Sequence, residues 1–145
     1  MSTKDPTKKT KQQTAAAPDE GVPFIPDWND ERQKALDNPN HEPVTFYLRP
    51  ITEADQDYYD MLISITGGDE SQEAIAKRIA RLNRAWITMQ VVKVENLKLA
   101  DGEDVIDGKS FLDCRGEIQN SRTLFYELIT EIGKTAGLNE GEVKN

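Results

Sequence analysis

Acid–base, nucleophilic and metal chemistry each need particular side chains brought together, and this chain offers few of them. His41 is its only histidine. It sits in Asn-Pro-Asn-His-Glu-Pro, a turn that points to an exposed loop residue rather than a general base. Cys114, the single cysteine, has no histidine near it in sequence and reads as a small half-buried side chain rather than a nucleophile. Alone, it also excludes an internal disulfide and a cysteine-based zinc site. Gly67 and Gly68 are followed by Asp69 and Glu70, whose charge would repel a phosphate. Carboxylates pair at helical spacing at Glu53/Asp57 and Glu127/Glu131, both on expected solvent faces. Asp101, Glu103, Asp104 and Asp107 lack the alternating ligands, mid-loop glycine and closing glutamate of a helix-loop-helix calcium site. The reading is a non-enzyme with no cofactor and no metal.

Protein contact is the better use of the remaining chemistry. Of the adjacent Tyr58 and Tyr59, only one can face fully inward from a helix, which leaves the other near the surface, where tyrosine suits an interface. Val22 to Pro26 is a proline-flanked apolar run, readable either as a docking peptide or as a pin for its own domain. The candidate protein-binding residues are therefore Phe24, Ile25, Trp28, Tyr58 and Tyr59.

The elements that must position them are mainly helical. Ile75, Ile79, Leu82, Trp86 and Met89 recur at steps of four and three, which predicts a long helix burying that stripe, with Lys77, Arg78, Arg81 and Arg84 on the wet side. Asp69 or Ser71 is its expected N-cap. The helix is expected to reach about Val92, while the β-branched residues from Ile87 to Val94 keep a strand open as the alternative. Pro43 to Pro50 alternates Val44, Phe46 and Leu48 with Thr45, Tyr47 and Arg49, the best strand in the chain. Thr52 caps the helix that follows, whose expected buried face is Tyr58, Met61, Leu62 and Ile65, with Gly67-Gly68 as its stop. Asp27 is expected to cap a short helix to Asp37, touching the body through Trp28, Arg32, Ala35 and Leu36. Val105 and Ile106 anchor an acidic link, and Lys109 to Cys114 form a helical turn. Asn120 or Ser121 then caps a last helix that buries Leu124, Phe125, Leu128, Ile129 and Ile132 and stops at Gly137. The fold class is mainly α with minor β: three or four helices and one or two short strands.

Composition divides the chain. Residues 1 to 21 hold no large apolar residue after Met1 and read as a disordered, lysine-rich arm; residues 22 to 145 read as one domain. The net charge of −8 includes +3 on residues 1 to 11, so residues 12 to 145 carry −11. Such an acidic body is repelled by nucleic acid, and no run is apolar enough for a membrane span or a secretory signal. These features point to a cytoplasmic protein with protein partners, a homo-oligomer included.

The order of the pieces resembles tailed-bacteriophage tail assembly chaperones. The residues that carry the likeness are FYLRPIT at Phe46 to Thr52, VENLKLADG at Val94 to Gly102, and an amphipathic last helix ending in LNEGEVKN. They span roughly Val44 to Asn145. The resemblance implies a small, mainly helical, non-enzymatic protein in the host cytoplasm. It would bind the tape-measure protein and tail-tube subunits during assembly and be absent from the finished particle. Two other readings stay open: a structural protein of the virion's head-tail or tail region, and an acidic inhibitor of a host nucleic-acid enzyme. The basic arm opposes the last of these.

Overall fold

Thr45–Leu48 (β2), with Val44 just before it, is buried on both sides because it forms the middle of a sheet. The computed structural model describes residues 20 to 64 and 71 to 144, with side chains through residue 136. Val22–Phe24 (β1) pairs antiparallel with β2 on one edge, setting Val22 opposite Leu48 and Phe24 opposite Phe46. Val91–Glu95 (β3) pairs antiparallel on the other edge, with a bulge between Tyr47 and Leu48. Gly21 makes the approach of β1 possible. Its φ is +78°, and a Cβ there would lie 2.9 Å from the Tyr47 carbonyl carbon.

Five α-helices cover this sheet among the described residues: Glu31–Asp37 (α1), Glu53–Ser64 (α2), Gln72–Gln90 (α3), Gly108–Cys114 (α4) and Ser121–Lys144 (α5). The mainly helical class with minor β is thus what the chain adopts, with one more helix and one more strand than the sequence pattern resolves. Helix α3 runs straight into β3, so the expected end near Val92 moves back to Gln90. Val91 and Val94 pair with Leu48 and Phe46 of β2 instead, with Val92 at the bulge between them, where β-branched side chains fit a pleated surface. Ser71 caps α3 by accepting from Ala74 N at 3.1 Å; Asp69 and the Gly67-Gly68 stop lie outside the described residues.

Phe46, Ile87, Phe111, Leu124 and Leu128 form the fully buried centre, with Phe46 and Phe111 edge to face at 5.9 Å. Helix α4 reaches it through Gly108, where a Cβ would fall 2.0 Å from the Ile87 carbonyl oxygen. Only a residue without a side chain fits there. Asp107 fixes the start of α4 with a capping box, each of Asp107 and Ser110 bonding the other's backbone N–H. Val105 anchors the acidic link as expected, but Ile106 is exposed and contributes its backbone, donating to Ser110 and accepting from Val94. Helix α5 continues through Gly137 to Lys144, past its expected stop.

The first segment differs from its expected form. Asp27 caps nothing: a 3-10 turn at Trp28–Asp30 precedes α1, with Asn29 and Asp30 at positive φ, and neither Asp27 nor Asp30 makes a side-chain cap. The turn is held instead by Glu127 of α5, whose carboxylate accepts from the backbone N–H groups of Asp27 and Trp28. That removes Glu127 from the solvent face expected for it. Leu36 is exposed, and α1 meets the body through Glu31, Arg32 and Ala35.

Candidate functional site

A strand that ends in Arg49-Pro-Ile-Thr must hand the chain to a helix while its last polar groups are buried, and α2 is positioned by how that is done. Thr52 Oγ1 accepts from Asp55 N at 3.1 Å, and the Asp55 carboxylate accepts in return from Thr52 N at 3.0 Å. The same carboxylate receives Arg49 Nη1 at 3.0 Å. Burial alone would raise the Asp55 pKa, yet the Thr52 and Arg49 hydrogen bonds outweigh it and hold the group below its ordinary value. Deeper in, the Gln90 side chain is fully enclosed: its Oε1 accepts from Tyr59 OH at 2.6 Å and its Nε2 donates to the Arg49 carbonyl. Burial, then the Asp55 charge, push the Tyr59 phenol far above its usual range, so it stays a donor.

This network rotates α2 by one position from the expected face. Asp55, Tyr59 and Leu62, at steps of four and three, point inward. Tyr58 and Met61, expected inside, are exposed at 41% and 54%; Ile65 lies outside the described residues. The stripe of α3 divides as well. Leu82, Trp86 and Met89 pack against the core, while Ile75 and Ile79 are exposed at 36% and 53%, contrary to the expected continuous burial. Ile63 joins them at the surface. Five large apolar side chains thus stand in solvent on one hairpin of two helices.

The other sequence candidates are taken up by the body. Trp28 is buried and donates from Nε1 to the Gln119 carbonyl at 2.9 Å. Phe24 and Ile25 are half-buried; Phe24 belongs to β1 and lies beneath Arg32, and the Ile25 carbonyl accepts from the same guanidinium. The apolar run therefore pins its own domain. Tyr59 is buried with its ring against Trp86, which leaves Tyr58 as the exposed member of the pair. Met61, Ile63, Ile75 and Ile79 were missed as surface residues because helical spacing marks an apolar face without saying what covers it.

The histidine and the cysteine each have their own surroundings in the body. His41 Nε2 lies 2.9 Å from Glu31 Oε1, and Glu31 also accepts from Val44 N at 3.0 Å, tying α1 to the start of β2. His41 is half-buried rather than exposed. Burial opposes the Glu31 charge, but the Val44 and His41 bonds prevail and lower its pKa. Burial followed by surrounding carboxylates pushes the Cys114 thiol up, away from reactivity. Among the described residues, no three His, Cys, Asp or Glu side chains are placed to hold a metal ion, and no helix is long and apolar enough to cross a membrane. Comparisons with protein-family models, curated sequences and solved structures give no match.

Proposed function

We propose that this chain is a non-enzymatic protein-binding factor of bacteriophage tail assembly, a chaperone that covers apolar surface on a tape-measure or tail-tube protein. One observation carries the binding role: Tyr58, Met61, Ile63, Ile75 and Ile79 stand exposed on the α2–α3 hairpin, where a helical client would bury them. The tail-assembly setting follows from the resemblance of FYLRPIT, VENLKLADG and the last helix to that family. The hairpin is rigid at its root through the Asp55, Arg49 and Gln90 network, so the apolar side chains are presented without a large ordering cost.

Co-expression with the tape-measure protein tests the reading. The wild-type chain should raise the client's soluble yield and co-elute with it, and a Met61→Ser/Ile79→Ser variant should fold normally yet lose both effects. An unchanged client yield would overturn the proposal. Stoichiometric copies in purified particles would reject the chaperone role in favour of a structural one.

A further inference from the structure

Every lysine between residues 20 and 136 lies within 4 Å of a carboxylate: Lys34, Lys77, Lys93, Lys98, Lys109 and Lys134. Arg32 and Arg49 are paired as well. Arg81 donates instead to the Leu62 carbonyl, and three further arginines are gathered in one place. Arg84 from α3, Arg115 from the 3-10 turn after α4, and Arg122 from the first turn of α5 line one cleft of about 400 Å³, and none has a carboxylate partner among the described residues. In a chain with 26 acidic against 18 basic residues, carboxylates are in excess, so three guanidinium groups gathered without one make a local positive field. Ser121 opens α5 in the same cleft, and the positive end of a 24-residue helix adds to that field. Phe125 and Tyr126 form the apolar wall. Arg115 stacks 4.2 Å above the Phe125 ring, which fixes the guanidinium plane while leaving its edge N–H groups able to donate.

We propose that this cleft binds an acidic peptide segment of a partner protein, with carboxylates on Arg84, Arg115 and Arg122 and an apolar side chain against Phe125 and Tyr126. Guanidinium forks match carboxylates geometrically, and the aromatic wall rewards a neighbouring apolar residue that a bare anion lacks. An extended polyanion is disfavoured because the −11 carried by residues 12 to 145 surrounds so small a positive area. The partner class rests on the protein-binding reading above, while the cleft, lined from α3, the turn after α4 and α5, includes none of the five exposed apolar residues of the hairpin.

The test is fluorescence anisotropy on the full chain with three labelled probes: a 14-residue peptide of glutamate, leucine and phenylalanine, the same peptide with glutamine for glutamate, and a 14-nucleotide single strand. The acidic peptide should bind, weaken with added salt, and lose at least tenfold in affinity with Arg84→Glu/Arg122→Glu. Exposed positions make that variant's folding secure, and an unchanged melting temperature verifies it; Arg84→Gln/Arg122→Gln should lose less. Equal binding of the glutamine peptide, equal binding to the reversed-charge variant, or tighter binding of the oligonucleotide would each overturn the proposal. If the reversed-charge variant loses the peptide yet still solubilises the tape-measure protein, the cleft is a second site. If wild type binds the peptide but solubilises nothing, the assembly reading fails and the cleft stands.

Discussion

The two halves of α3 have the same amphipathic pattern and opposite fates. From Leu82 to Gln90 the helix is enclosed by α2, α4 and α5, with Ile87 and Gln90 fully buried; from Gln72 to Arg81 it buries nothing completely. Periodicity is equal in both, so burial depends on what the rest of the chain brings alongside. At the enclosed end, a glycine admits α4 to the backbone and a glutamine satisfies polar groups from two other elements. At the free end, isoleucines meet water. Covering only half of one helix gives it a core-facing end and an end whose isoleucines stay exposed.

The sharpest way to break this comparison is to truncate an isoleucine in each half. Ile87→Ala should cost about 2 to 5 kcal/mol, as buried large-to-small changes do, whereas Ile79→Ala should change stability by less than about 0.5 kcal/mol. Urea denaturation of both decides it; equal losses would mean the halves are alike. Next in size is Gly108→Ala, which must displace α4 from the Ile87 carbonyl and should cost about 1 to 3 kcal/mol. Gly116→Ala is the control, since a Cβ there meets nothing within 4 Å. A Gly108 variant as stable as the control would refute the close approach of α4.

The tyrosine pair sharpens the contrast within α2. Tyr59→Phe strands the buried Gln90 oxygen and should cost about 1 to 3 kcal/mol; Tyr58→Phe should be close to neutral. The smallest effect concerns pH. The folded-state pKa values of Glu31 and Asp55 are lowered, so their contribution to stability is present at neutral pH and is lost as pH falls below the ordinary values of 4.5 and 3.8 toward the folded ones. Glu31→Gln should flatten the fall in melting temperature between pH 5 and pH 3, which thermal scans at stepped pH would reveal.

Local signals were legible where a short stretch decides its own structure. Thr52 and Ser71 mark helix starts through side chains that bond an amide three residues on, and Thr45 to Leu48 is a strand by its alternation and aromatic content. The apolar face of α5 was also readable, because Leu124, Leu128 and Ile132 leave a continuous buried row. What stayed out of reach is pairing between distant residues. Glu127 reads as a solvent carboxylate until α5 lies beside Asp27 and Trp28, nearly a hundred positions earlier in the chain. Arg84, Arg115 and Arg122 read as scattered surface charge until three elements bring them to one cleft.

By itself, the sequence determined the central strand, the Thr52 and Ser71 caps, the acidic balance and the helical class, since these follow from backbone propensity, spacing and charge within a few residues. Tertiary structure alone decided that Val91 to Glu95 is a strand, that Tyr59 rather than Tyr58 is buried, and that Ile75 and Ile79 are left in solvent. Each of those outcomes depends on which surface arrives opposite a given side chain. A hydrophobic pattern specifies that a face seeks cover, and only the packed chain determines whether its own residues supply that cover.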